Sequence, residues 1–163
     1  MYHLTEAYLM AFYISALAAF LGALIFGTAV VAPLAVRLIS AENSPTFLRQ
    51  YWVRFHNIAV IGSLLFTAMA GIGSVYSAVP IYYSMLLVGM AALMTMLFFI
   101  AMALIARINA ASDAGNAQAF AKLHALNIAC VGLGMVVGLA LVAALIYVLP
   151  GQFTFWPTQT LPT

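Results

Sequence analysis

The fold is decided by residues 55–106, which read FHNIAVIGSLLFTAMAGIGSVYSAVPIYYSMLLVGMAALMTMLFFIAMALIA. This stretch contains no Asp, Glu, Lys or Arg. A bilayer core about 30 Å thick is crossed by about 20 apolar residues of helix, so the stretch is long enough for two crossings. The sequence SAVP at residues 77–80 interrupts it. We therefore predict two membrane-spanning helices, over residues 57–76 and 81–106.

Uncharged tracts on either side predict two further spans. Residues 7–36 form one long tract, whose length implies tilt or a helical continuation past Pro33. Residues 126–148 form another, closed by Pro150. Charged residues make up 5% of the 163-residue chain, against about a quarter in soluble proteins. The sequence predicts an all-α integral membrane protein, a four-transmembrane-helix bundle, with one domain over residues 1–149 and an extended tail over 150–163.

The basic residues predict the orientation. All of them fall between spans one and two or between spans three and four: Arg37, Arg49, Arg54, Arg107 and Lys122. By the positive-inside rule that side is cytoplasmic, so both termini face the other compartment, which in a bacterial inner membrane is the periplasm. A net charge of +2 is too small for a nucleic-acid-binding surface.

The two hairpins show a weak internal similarity at an offset of 70 residues. Arg37 aligns with Arg107, and NIAVIG at residues 57–62 aligns with NIACVG at residues 127–132. Overall identity at this offset is close to what an Ala- and Leu-rich composition gives by chance. The shared rare residues indicate duplicated helical hairpins related by a pseudo-two-fold axis along the membrane normal.

Both connections on the basic side contain helical signals. Ser44 and Pro45 are typical of a helix start, and an apolar and aromatic face recurs after them at helical spacing: Phe47, Leu48, Tyr51, Trp52 and Phe55. This pattern predicts a short interfacial amphipathic helix between spans one and two, either anchored in the headgroup region or docking a partner. Residues 109–122 predict a loop followed by a helical lead-in.

Two histidines are the candidate cofactor ligands. His56 opens span two and His124 precedes span four, so both are expected at one depth on neighbouring helices, as bis-histidine haem or metal ligation requires. The alternative is that each is an interfacial histidine with lipid or loop partners. No nucleophile–base pair, phosphate loop or metal cassette is found in the sequence, so we expect no catalytic residues, no metal site and no cofactor other than haem.

Asn57 and Asn127 are the polar residues expected just inside the membrane. Their structural role would be hydrogen bonding between helices. The alternative is a polar pocket on the cytoplasmic side, formed with the adjacent histidines and arginines. The single cysteine, Cys130, lies within span four and is expected to be a packing residue.

Two features predict contact with other proteins. Gly134 and Gly138 form a GxxxG pair on span four, and the tail carries the aromatic cluster Phe153, Phe155 and Trp156. The tail lies either in the aromatic belt of the membrane or against a neighbouring subunit. These features favour a non-catalytic accessory or assembly subunit that contacts lipid and either other membrane subunits or a second copy of itself. The alternative function is ligand handling, with haem, metal or a hydrophobic substrate held between the helices.

Two segments carry a resemblance to a known family. Residues 31–56, VAPLAVRLISAENSPTFLRQYWVRFH, and residues 107–135, RINAASDAGNAQAFAKLHALNIACVGLGM, resemble the small four-span membrane proteins typified by transmembrane protein 205. The family features are a histidine near the first span (His3), a basic residue at its end (Arg37) and an F-x-x-x-H element before span four (residues 120–124). The resemblance implies a four-helix bundle with no established enzymatic activity, in a family linked to stress or metal-drug tolerance. The RIN and KLH elements also resemble the anthrone-oxygenase-like membrane proteins, which would imply an enzyme.

Overall fold

The described part of the chain folds into five α-helices and one π-helical turn. The structure, a computed structural model, describes residues 2–40, 42–76 and 80–148. In chain order the elements are α1 (Tyr2–Phe26), the π turn (Gly27–Val31), α2 (Ala32–Leu38), α3 (Ser44–Tyr76), α4 (Ile81–Asp113) and α5 (Ala117–Val148). Four helical segments are long and apolar enough to cross a membrane: Tyr8–Leu38, Ser44–Val75, Ile81–Asp113 and Ala117–Tyr147. The chain is thus an integral membrane protein with four candidate spans in its described part, and the predicted all-α four-span class is confirmed.

The first span is a helix with a widened turn near its basic end. The backbone N–H of Ala32 donates to the carbonyl oxygen of Gly27, five residues back instead of the four of an α-helix. Pro33 follows immediately, and proline has no N–H and crowds the carbonyl four residues before it. The wider turn accommodates this proline without ending the helix. The chain therefore stays helical past Pro33 as far as Leu38, which was one of the two outcomes expected from the length of the tract.

The other three spans are longer than a bilayer requires. Helices α3 and α4 have 33 residues each and α5 has 32, which at 1.5 Å per residue is about 50 Å. The hydrocarbon core is about 30 Å thick, so the helices extend beyond it. This is why residues 109–113, predicted as loop, are the last turn and a half of α4. The connection to α5 is only residues 114–116.

Residues 114–116 close one helix and open the next. Gly115 takes a left-handed conformation with φ of 64°, and the N–H groups of Gly115 and Asn116 donate to the carbonyls of Ser112 and Ala111. These are the two hydrogen bonds of a Schellman C-cap. The Oδ1 atom of Asn116 accepts the N–H of Ala119 at 3.0 Å, which caps α5. The turn therefore fixes how α4 and α5 leave the basic end of the bundle.

The predicted amphipathic segment is not a separate helix. It is the N-terminal part of α3, which runs without interruption from Ser44 to Tyr76. Its aromatic face packs on the protein itself: Phe55 is buried, and Tyr51 and Trp52 are half-buried against the core. Gly27 makes this approach possible, since a Cβ there would stand 2.6 Å from the Tyr51 hydroxyl. The aromatic side chains of this segment therefore mainly pack against the core of the bundle.

Polar contacts between helices fix their register within the apolar core. The Tyr13 hydroxyl of α1 donates to the carbonyl of Phe66 on α3 at 3.1 Å, and the two rings meet edge to face. The hydroxyls of Thr67 on α3 and Thr95 on α4 are 2.9 Å apart. Apolar association is weak in lipid, so such bonds and close packing specify which faces meet. Cys130 belongs to the buried core, as expected of a packing residue.

Candidate functional site

A cleft opens at the end of the bundle that carries the basic residues, here called the basic end. Its inner part has a volume of about 350 Å³ and its outer part about 750 Å³. The two parts are continuous, because both are lined by the same central set of side chains: Thr28, Arg49, Trp52, Ile108, Asn109 and His124. The shared set comes from the π turn, α3, α4 and α5, and α2 adds to the wall of the outer part.

The cleft exists because α1 and α5 separate towards the basic end. Near Gly138 they touch, since a Cβ on this residue would lie 2.7 Å from a methyl carbon of Leu21. Among the described residues, α5 makes no comparable contact with the π turn or with α2, which continue α1 towards the basic end. Thr28 of the π turn and Gly132 of α5 both line the resulting space. The widened turn before Pro33 thus lies at the wall of the cleft.

A buried hydrogen-bonded network borders the inner part. Asn127 of α5, 6% exposed, donates from Nδ2 to the carbonyl oxygen of Ala101 on α4 at 2.7 Å. The same nitrogen lies 3.1 Å from Nε2 of His56 on α3. His56 is fully buried, and its Nδ1 lies 2.7 Å from the carbonyl oxygen of Trp52. One asparagine therefore joins three of the four spans.

The chemistry of these partners fixes the protonation of the imidazole. A carbonyl only accepts hydrogen bonds, so Nδ1 of His56 must carry the proton that bonds Trp52. Nε2 is then the acceptor for one N–H of Asn127, whose second N–H bonds Ala101. His56 is therefore held as the neutral tautomer protonated on Nδ1. Both of its ring nitrogens are engaged within the protein.

An ion pair lies beside the cleft on the protein surface. The guanidinium of Arg49 on α3 donates two hydrogen bonds to the carboxylate of Asp113 on α4, at 2.6 and 3.3 Å. The side chains are 44% and 60% exposed, so water and salt screen the pair. Next to it, His124 stacks on Phe120 with the rings 5.4 Å apart. A cation, an imidazole and the amide of Asn109 thus line a largely apolar space.

The two candidate haem ligands have different surroundings. His124 lines the cleft, whereas His56 is closed into the network and lines neither part of the cleft. Axial ligation by His56 would require breaking its bond to Trp52 or to Asn127. Among the residues that the structure describes, no group of three His, Cys, Asp or Glu side chains could hold a metal ion. The geometry therefore does not favour the histidine pair as a ligand set.

The two asparagines also differ. Asn127 bonds across helices, as its structural role predicts, and it also lines the inner part of the cleft. Asn57 is exposed, and no described residue makes a hydrogen bond to its side chain. The expectation of a bond between helices at Asn57 is therefore wrong: its neighbour His56 faces the bundle in its place. This arrangement also breaks the pseudo-symmetry that the shared NIA sequence suggests.

The predicted interface residues fall into two groups. Gly134 and Gly138 are buried inside the bundle, where the GxxxG pair packs against helices of this chain and not against a partner. A Cβ at Gly134 would lie 2.8 Å from the Phe98 ring, and one at Gly138 would lie 2.9 Å from the sulfur of Met94. Because these glycines have no side chain, large residues on neighbouring helices of this protein can pack against α5 there. Phe153, Phe155 and Trp156 lie outside the described residues.

Among the polar and aromatic residues that line the inner part of the cleft, Thr28, Trp52 and Asn109 were not sequence candidates, and Arg49 was included only among the arginines of the predicted polar pocket. Trp52 and Arg49 belong to the segment that predicted contact with the headgroups. Asn109 was assigned to a loop. For Thr28 the sequence did contain a signal. Pro33 lies five residues later in the same apolar span, and a proline within a span indicates a local change in helix geometry.

A scan against protein-family models and searches of curated proteins and of solved structures find no match for this chain.

Proposed function

We propose that this protein binds a small, mostly apolar molecule in the cleft at the basic end of the bundle. The observation that carries the proposal is the composition of the inner wall. Its apolar side chains include Ile105, Ile128, Val131 and Met135, and its polar atoms are few and come from different helices. Small-molecule sites in proteins have this character, a concave apolar wall with a few placed polar groups. The inner volume of about 350 Å³ is in the range of such sites.

The position of the cleft supports the proposal. Arg49, Asn109 and His124 lie outside the spans predicted from the sequence, while Val131 and Met135 lie within the fourth predicted span, residues 126–148. A molecule in this cleft would have its apolar part at the depth of the lipid chains and its polar part near the headgroups. Amphipathic molecules dissolved in a membrane also place their polar group at the headgroups and their apolar part among the lipid chains. The protein would then hold or hand over a lipophilic molecule at the membrane surface.

Filling the cleft tests the proposal. Gly132→Phe places a ring in the inner part, where an added Cβ meets no neighbour within 4 Å. Gly89→Phe is the matched control, because Gly89 is equally open but does not line the cleft. Trp52 is the reporter: the chain has two tryptophans, and Trp156→Phe leaves Trp52 alone. Quenching of its fluorescence by bromobenzene, a heavy-atom quencher, measures occupancy in detergent.

If bromobenzene binds in the cleft, Trp52 quenching should saturate with concentration in the parent protein and in Gly89→Phe. In Gly132→Phe, where the cleft is filled, we expect only the linear quenching caused by bromobenzene dissolved in the detergent. Linear quenching in all three proteins would overturn the proposed binding site. If saturable quenching persists in Gly132→Phe, bromobenzene binds outside the cleft, and the proposed binding site is likewise overturned.

An accessory-subunit function is the second proposal, and the aromatic sequence of residues 153–156 is what favours it. Aromatic residues are enriched at the centres of protein interfaces. The test is removal of residues 152–163, followed by isolation from the native membrane in mild detergent. We expect the four spans to stay folded and a co-purifying protein to be lost. A truncated chain that retains every co-purifying protein would contradict this function.

A further inference from the structure

We infer that the ligand of the cleft is a compact neutral molecule with a hydroxyl group, which donates its hydrogen bond to Oδ1 of Asn127. This inference rests on the proposed binding function and names the class of molecule. It starts from the one buried polar side chain that both belongs to the network and lines the inner part of the cleft.

The carboxamide oxygen of Asn127 has no donor among the described residues. Both hydrogens of Nδ2 are used, one on Ala101 and one on His56, and the carbonyl of Ala101 requires that the nitrogen and not the oxygen faces it. No described group donates to Oδ1. Since no fully buried side-chain nitrogen or oxygen lacks a partner in the described part of the chain, this oxygen reaches the accessible surface of the cleft. A side chain that is 6% exposed thus presents an open acceptor to the cavity.

The electrostatics of the cleft select among donors. An ammonium group would need a carboxylate, but the nearby Asp113 is bonded to Arg49 and does not line the cleft. Arg49 lines the cleft with its charge already paired, so the wall offers a cation no free carboxylate. An anion could pair with Arg49 but cannot donate to Oδ1. A neutral hydroxyl satisfies the amide oxygen without bringing a charge into an apolar space.

The dimensions favour a ring-sized body over a lipid with two chains. The inner part, about 350 Å³, is at the small end of ligand sites. Its apolar wall comes from short spans of α4 and α5, over residues 105–108 and 128–135. A phenol or a cyclic alcohol is the chemistry that matches such a space with one acceptor at its wall.

A matched pair of probes tests the hydroxyl. We would titrate the protein carrying Trp52 alone with 4-bromophenol and with 4-bromoanisole, in which the hydroxyl is methylated and can no longer donate. A single hydrogen bond to a buried acceptor is expected to favour the phenol by about fivefold in dissociation constant. Equal affinities would overturn the hydroxyl assignment and leave the binding site in place. Linear quenching by both probes would overturn the binding site itself.

Asn127→Leu should remove the preference while Asn57→Leu, a matched change at an exposed asparagine, should keep it. The comparison of 4-bromophenol with 4-bromoanisole in the protein that retains Asn127 tests the hydroxyl even if Asn127→Leu does not fold. A preference for the phenol that survives in a folded Asn127→Leu protein would contradict the assignment to this oxygen. Recovery of Trp52 fluorescence from bromobenzene quenching on addition of dioleoylglycerol, but not on addition of the bromine-free cyclic alcohol cyclohexanol, would overturn the compact ligand.

Discussion

Asn127 and His56 lie 71 positions apart in the chain, yet Nδ2 of the first is 3.1 Å from Nε2 of the second. Replacing Asn127 by Leu leaves this buried imidazole nitrogen without a donor. Hydrogen bonds between membrane helices contribute about 1 kcal/mol, so we expect a loss of that order in thermal unfolding in detergent, followed by circular dichroism. Asn57→Leu should change stability by less than about 0.5 kcal/mol, because Asn57 is exposed.

The same pair can be tested for direct coupling. In a double-mutant cycle of His56→Leu and Asn127→Leu, the double variant should lose less stability than the two single changes together, since each single change leaves the other partner unsatisfied. Additive losses would show that the two side chains do not act on one another.

Gly134 is a position where the packing of α5 on α4 leaves no room for a side chain. In Gly134→Ala the new methyl group would stand 2.8 Å from the buried Phe98 ring. We expect a loss of about 1–3 kcal/mol, typical of overpacking. Gly89→Ala meets no neighbour, and removing a helical glycine there should stabilise by about 0.5–1 kcal/mol. A gain of equal size at both positions would mean that α4 and α5 do not approach each other at Gly134.

The ion pair of Arg49 and Asp113 should matter little at ordinary ionic strength, because both side chains are exposed. Asp113→Asn is expected to lower the melting temperature slightly at low salt and not at all in about 1 M salt, where screening acts over about 3 Å. A decrease that persists at high salt would show that the pair is shielded from solvent, for example by lipid headgroups.

The orientation in the membrane is open to cysteine labelling. Cys130 is the only native cysteine and is buried, so Cys130→Ala gives a background without thiols. With a membrane-impermeant maleimide added to intact cells, Thr160→Cys should react at once. Ala114→Cys, in the exposed turn at the basic end, should react only after the membrane is opened. The reverse pattern would invert the topology.

The spans were predictable because charge is excluded from hydrocarbon, and the sequence shows where charge is missing. The inward faces were not. A helix that is apolar all round has no amphipathic pattern to indicate which side meets the protein. The repeated NIA sequence illustrates the difficulty: Asn127 is buried in the network, while Asn57 faces outward and His56 points in.

The cleft was harder still to predict. The sequence placed a polar pocket among the alternatives, built from histidines, arginines and asparagines near the basic end, and His124, Asn127 and Arg49 do line the cleft. Its position depends on where the first span diverges from α5, next to the π turn at Gly27–Val31. Close approach of α1 and α5 near Gly138, without comparable contact of α5 with the π turn in the described part of the chain, is a difference in packing within uncharged tracts.

The π turn at Gly27–Val31 has a consequence for comparing this chain with others. A π turn holds one residue more than an α turn, and one residue corresponds to about 100° of rotation around a helix axis. A homologue with one residue fewer in this segment could keep an unbroken α-helix, and an alignment should then open a single gap within residues 27–31. An alignment without this gap would be displaced by one residue on one side of the turn. It would then pair side chains that face lipid with side chains that line the cleft.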